Sequence, residues 1–153
     1  MIGKRSAGLL LYRIRHATIE VLLVHPGGPY WKNKDDGAWS IPKGEFLPPD
    51  DPLAAARREF FEETGTIVEG ELHALKPIRQ PGGKTVHAWA TEGDLDPATI
   101  VSNTFEIEWP PRSGRLQSFP EIDRGAWFTL PEARCKILRG QAPLLEELAQ
   151  MLV

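Results

Sequence analysis

Gly44-Glu-Phe-Leu-Pro-Pro-Asp50, seven further residues, and then Arg58-Glu59-Phe60-Phe61-Glu62-Glu63-Thr64-Gly65 form the stretch on which the fold turns. Asp51 can cap free backbone amides and Pro52 can occupy a first helical turn without losing a needed donor, so a helix is predicted from there to about Thr64. Gly65 supplies its stop. Residues three and four apart are neighbours on a helix surface, which sets Glu59 beside Glu62 and Glu63. Carboxylates crowded in this way are unfavourable without a cation, and oxygen-rich clusters suit hard ions such as Mg²⁺ or Mn²⁺. An isolated acidic run reads first as a solvated face, here with Arg57 and Arg58 as partners. The glycines shift that reading. Gly44 is expected to turn the loop back so that its carbonyl approaches an ion, and Gly65 frees the chain immediately after Glu63.

Outward from this stretch, Ser6–Arg13 and Ile19–His25 are short aliphatic runs of the kind that form buried strands. Pro26 to Gly37 is a connection rich in Gly, Pro, Asn, Asp and Lys that carries Tyr30 and Trp31, and Trp39–Ile41 is expected to resume a brief strand. Downstream, Ile67–Ile78 and Lys84–Thr91 flank Pro81-Gly82-Gly83 and read as paired strands. Phe105-Glu-Ile-Glu-Trp109 alternates, so Glu106 and Glu108 share one face and Phe105, Ile107 and Trp109 the other. Ala126–Phe128 reads as a last strand. Thr129-Leu-Pro-Glu132 has capping-box spacing and should open a helix to about Leu138. In Ala142–Leu152, Leu144, Leu145, Leu148, Met151 and Leu152 recur at helical spacing and predict a face packed on the core.

With 153 residues, 41% hydrophobic and 25% charged, the chain is expected to form one globular domain, 1–153, around a single core. The Met1-Ile-Gly-Lys-Arg5 start has no long apolar run followed by small residues, so neither signal nor anchor is expected and the cytoplasm is the expected compartment. Cys135 is the one cysteine, which leaves no intrachain disulfide or thiolate zinc cluster; its helical context predicts a small buried side chain. A formal net charge of −3 argues against a broad phosphate-binding surface for nucleic acid. Oligomeric state is not legible.

The segment resembles the box of the Nudix hydrolase family, MutT-like pyrophosphohydrolases among them, at Gly44, Arg58, Glu59, Phe60, Glu62, Glu63 and Gly65. It departs at Asp50, where the family usually has glutamate, and at Thr66, where it has an apolar residue. Asp50 keeps the charge with a shorter reach. The order of elements agrees with the Nudix α/β/α sandwich and its mixed sheet. The resemblance implies that Gly44, Glu59, Glu62 and Glu63 hold Mg²⁺ or Mn²⁺ and that Arg58 holds a glutamate in place. It also implies a catalytic set of Glu62, Glu63 and Arg58 with a base inside or outside the box. Outside it, Glu121 ranks first because it precedes the strand containing Trp127; Glu106 and Glu108 follow.

For the substrate, Lys43 beside Gly44 is placed to meet a phosphate as a point charge. Tyr30 and Trp31 suit stacking on a base and core packing equally. His16, His25, His73 and His87 have no metal or catalytic spacing. By resemblance, the Trp39-Ser-Ile-Pro-Lys-Gly44 approach implies hydrolysis of a nucleoside triphosphate or dinucleoside polyphosphate. An ADP-ribose or nucleotide-sugar pyrophosphatase, a silent nucleotide sensor and a plain interaction domain stand as the alternatives.

Overall fold

A computed structural model describes residues 4–153, so the first three residues of the amino-terminal start read above lie outside it. The two aliphatic runs pair as an antiparallel hairpin, β1 (Arg5–Arg15) and β2 (Thr18–Pro26). Lys43–Phe46 forms β3, followed by helix α1 (Pro52–Thr64). Short strands β4 (His73–Ala74) and β5 (Ile78–Gln80) precede the longer β6 (Lys84–Glu92). A separate two-stranded hairpin, β7 (Thr104–Glu108) with β8 (Leu116–Pro120), leads into β9 (Ile122–Thr129). Two helices, α2 (Leu130–Lys136) and α3 (Ala142–Met151), close the chain.

Seven strands share the main sheet, in the order β4-β6-β1-β2-β9, with β3 attached to β1 and β5 to β6. The β1–β6 pair is parallel and the others antiparallel, so the sheet is mixed. β6 occupies one edge of β1; on the other edge β3 pairs with Arg5–Gly8 and β2 with Tyr12–Arg15. β2 and β3 therefore fork away from the middle of β1. At the fork the Leu9 N–H donates to the Pro42 carbonyl at 3.2 Å, and a Cβ on Gly8 would press against that same carbonyl.

The continuous aliphatic run in β1 follows from burial on both faces. Leu9 and Leu11 pack with Ala55, Ala56 and Phe60 of α1, whereas Leu10 and Tyr12 pack with Ala133, Leu144, Leu145 and Leu148 of α2 and α3. The result is the expected α/β/α sandwich. Among the described residues no helix is long and apolar enough to cross a membrane.

Helix α1 begins and ends as its caps dictate: the Asp51 carboxylate accepts from the Ala54 N–H at 3.0 Å, and Gly65 takes φ 77° while donating to the Phe61 carbonyl. The Thr129–Glu132 capping box is formed in full. Elsewhere the structure corrects the sequence reading. Trp39 and Ser40 make only isolated bridges, and the strand falls later, at Lys43–Phe46. Ile67–Ile78 is mostly irregular chain without ladder partners, and β8 was not anticipated. Cys135 lies on the exposed side of α2, opposite to Ala133, which takes the buried position. Met151 is 38% exposed and departs from the predicted apolar face of α3, whereas Leu152 still packs against the core.

Leu145→Ala, which empties a fully buried site, is expected to lower unfolding free energy by about 2–5 kcal/mol. Met151→Ala should cost less than about 0.5 kcal/mol. Urea titration of both variants checks the assignment of the core face.

Candidate active site

Three stretches distant in sequence meet at the fork. β3 brings Lys43 and Gly44, α1 brings Arg58, Glu59, Glu62 and Glu63, and the turn into β9 brings Glu121. Lys43, Glu63 and Glu121 line one cavity of about 220 Å³, walled by Trp31, Val24 and Ile41.

The helix points its acids at different depths. Glu63 is only 9% exposed and accepts the Lys43 backbone N–H at 3.2 Å. Burial pushes its carboxyl up to about 8 against that N–H, with Glu59 and Glu121 adding repulsion. Glu59, one turn earlier, rises to about 7 through burial and the neighbouring Glu62, opposed by Arg58. Glu121 is raised too, by burial and then by Glu62. Burial likewise holds the Lys43 ammonium below its ordinary value, with Glu63 opposing. Glu59, Glu63 and Glu121 thus resist ionisation first through burial and then through repulsion by neighbouring carboxylates, which the nearby positive charge does not offset.

Arg58 reaches three acids: Asp50 at 3.7 Å, Glu59 at 3.6 Å and Glu62 at 3.9 Å. At about half exposure such long pairs contribute little stability, so the guanidinium orients these groups more than it holds the fold. Asp50 thus reaches Arg58 despite its shorter side chain.

Gly44 has a different role from the loop reversal expected of it. It lies within β3, opposite Ala7, and a Cβ there would collide with the Glu59 carboxylate. The glycine provides close approach of strand to helix. Among the described residues no three His, Cys, Asp or Glu groups are gathered as a formed metal site. Instead Glu63 faces the Lys43 N–H, and Glu59 and Glu62 face Arg58 and each other. The donor set itself, four carboxylates beside a bare glycine backbone, matches the oxygen preference of a hard divalent ion.

The remaining candidates separate. Trp31 is in the cavity wall; Tyr30 is outside it, 56% exposed and edge-on to Trp109 with ring centroids 5.3 Å apart. Glu106 and Glu108 are exposed on the face of the β7–β8 hairpin away from Phe105 and Trp109. His25, to which sequence gave no role, is fully buried at the end of β2. Its Nδ1 meets Asp123 Oδ1 at 2.9 Å and its Nε2 the Lys34 carbonyl at 2.6 Å, tying the 26–37 loop to β9. Lone histidines carry no sequence signal for such a tie.

A mixed-sheet α/β/α sandwich with a glutamate-bearing helix packed on a glycine strand is the architecture of a Nudix domain. The NUDIX domain family profile matches residues 3–148, and the chain belongs to that family. A mouse (Mus musculus) asymmetrical bis(5′-nucleosyl)-tetraphosphatase is 35% identical over 103 residues, 58% of this chain and 64% of the mouse protein. The matched stretch therefore spans less than two thirds of that relative. Among solved structures, a C. elegans Ap4A hydrolase binary complex aligns with TM-score 0.64 and 25% identity, covering 97% of each chain. The NUDIX domain of Shewanella oneidensis NrtR, complexed with ADP ribose, shares the fold at TM-score 0.69 and 14% identity, covering 100% of this chain and 90% of that one.

Because a methyl at position 44 must displace Glu59, Gly44→Ala is expected to cost about 1–3 kcal/mol of stability. Adding Glu59→Ala should recover most of it, a coupling readable in a double-mutant cycle. Additive losses would show that strand and helix are not in close approach there.

Proposed function

We propose that the chain, acting as one domain, is a divalent-metal-dependent hydrolase of a phosphoanhydride bond in a nucleoside triphosphate or dinucleoside polyphosphate. The carrying observation is that Lys43, Glu63 and Glu121, from three separate elements, line one cavity beside Glu59 and Gly44. Dinucleoside tetraphosphates come first among candidate substrates because the mouse and C. elegans relatives bear names for that activity.

In this reading Glu59, Glu62 and Glu63, with the Gly44 carbonyl, hold Mg²⁺ or Mn²⁺. The bound ion supplies charge withdrawal from the phosphates and lowers the pKa of a water ligand. Arg58 positions Glu59 and Glu62. Lys43 meets a phosphate oxygen from the cavity wall, and its partial burial strengthens that attraction. Glu121, facing the same cavity from the turn into β9, takes the proton of the attacking water; burial and the neighbouring Glu62 raise its affinity for a proton, the direction that favours a general base. A nucleotide leaves with its own phosphate.

A screen of nucleoside triphosphates, dinucleoside polyphosphates, ADP-ribose and nucleotide sugars with Mg²⁺ or Mn²⁺, products identified by mass, tests the reading. Glu63→Gln should lower kcat by about 10²-fold or more, and Glu121→Gln by about 10²–10⁴-fold. Unchanged turnover in Glu63→Gln would sink the proposal. Metal linkage gives a check independent of turnover. At a hundred times its Kd, Mg²⁺ should stabilise the chain by about 2.7 kcal/mol, read as a rise in Tm that Glu59→Gln diminishes.

A further inference from the structure

The cavity at the carboxylates is about 220 Å³, below the roughly 300 Å³ at which pockets begin to enclose drug-sized ligands. It has room for phosphate and a cation and too little for a nucleoside as well. A larger cleft of about 570 Å³ lies between the 26–37 loop and the β7–β8 hairpin. Trp109, Phe119 and Pro29 give it an aromatic and apolar lining, and Lys32, Asn33 and Gln117 give it polar groups.

Several features show that this lining is held in shape. Strand register puts Phe105, Ile107 and Trp109 on the hairpin face that also carries Gln117 and Phe119. Trp109 is fixed edge-on against Tyr30 at 79°, and Phe105 packs near Phe119 and over Gly28. The Gln117 side-chain amide donates to the Trp109 carbonyl at 2.8 Å, which leaves its own carbonyl oxygen as an acceptor. The Asp123 carboxylate at the cleft is already engaged by His25 and Arg124.

The cleft and the carboxylate cavity share one wall. Pro26, Trp31, Glu121 and Ile122 line the cavity, whereas Gly28, Lys32, Pro120 and Asp123 line the cleft. Within this wall lies Gly27, whose N–H donates to the Glu121 carbonyl at 2.8 Å and whose Cβ position is filled by the Pro120 carbonyl. No side chain rises from that point to separate the two spaces.

We propose that the loop–hairpin cleft is the nucleobase subsite of the substrate whose phosphates lie at Lys43 and Glu121, with the base seated against Trp109 and Phe119. This rests on the phosphoanhydride-hydrolase reading and adds to it where the base is held. Base–aromatic contact is tolerant of base identity, while Lys32 and Gln117 supply the polar contacts at the edges.

The test compares a nucleotide with a base-free ligand on the full chain. Diadenosine tetraphosphate and inorganic tripolyphosphate are titrated in Mg²⁺ under conditions slow for turnover, and KM is measured for whichever is cleaved. Trp109→Ala should weaken the nucleotide relative to tripolyphosphate by about tenfold, and Trp109→Phe should recover most of the loss. Lys32→Glu, on an exposed rim position that does not support the hairpin, should act in the same direction by several-fold. The indole N–H resonance of Trp109, assigned by its disappearance in Trp109→Phe, should shift with the nucleotide and not with tripolyphosphate. Equal weakening of both ligands, or an unmoved Trp109 resonance beside an intact nucleotide affinity, overturns the subsite while hydrolysis stands. A wild-type chain that neither binds nor cleaves any nucleotide overturns the underlying reading as well.

Discussion

The structure is organised around an acid buried with too little compensation. Glu63 is brought under the fork of the sheet, where its strongest opposing contact is one backbone N–H, that of Lys43. Removing a carboxylate from water costs several kcal/mol unless a charge or donors replace the lost hydration. The fold accepts that cost because α1 is fixed from both ends, by the Asp51 cap and the Gly65 turn, and along its length by Ala55, Ala56 and Phe60 against β1. With the helix so fixed, Glu59 must approach β3, and the bare backbone of Gly44 is what allows it.

The fork supplies the other half of this constraint. One edge of β1 serves both β2 and β3, so β3 takes Arg5–Gly8, β2 is left only Tyr12–Arg15, and the opening between them becomes a cavity instead of a ladder. Val24 and Ile41 wall that cavity from the diverging segments. Polar groups placed there lose hydration without being sealed from ligand. That combination raises the proton affinity of Glu63 and Glu121 and lowers that of Lys43 around one cavity.

Legibility in the sequence followed the range of the determining contacts. α1 was readable because its caps, its apolar face and its stop are local, as was the capping box of α2. β1 and β2 were readable because both faces are buried and their aliphatic runs are unbroken. β8 was not, since Leu116-Gln-Ser-Phe-Pro120 has little strand character and becomes a strand only by pairing with β7. Ile67–Ile78 has strand-forming residues but finds β6 as a partner only over His73–Leu75 and at Ile78. In the site, Lys43, Glu63 and Glu121 share a cavity, yet sequence could not separate Trp31 from Tyr30. Adjacent residues in an irregular loop have no periodicity to assign their directions, and here one faces the cavity and the other Trp109. The use of Gly44 as a contact point was also invisible, because the position it clears belongs to a side chain fifteen residues away.

The loop and the hairpin depend on each other in a way that bears on the site. A two-stranded hairpin standing alone is marginal in water, and the 26–37 loop has no ladder of its own. Each supplies what the other lacks: Tyr30 meets Trp109, Phe105 covers Gly28, and the Gly27 N–H reaches the Glu121 carbonyl. His25 then ties the loop to β9 from beneath, through Lys34 on one side of its ring and Asp123 on the other. Glu121 is therefore positioned by a joint that includes residues of both elements. Any ligand that tightens the cleft between loop and hairpin must also bear on the segment that carries Glu121.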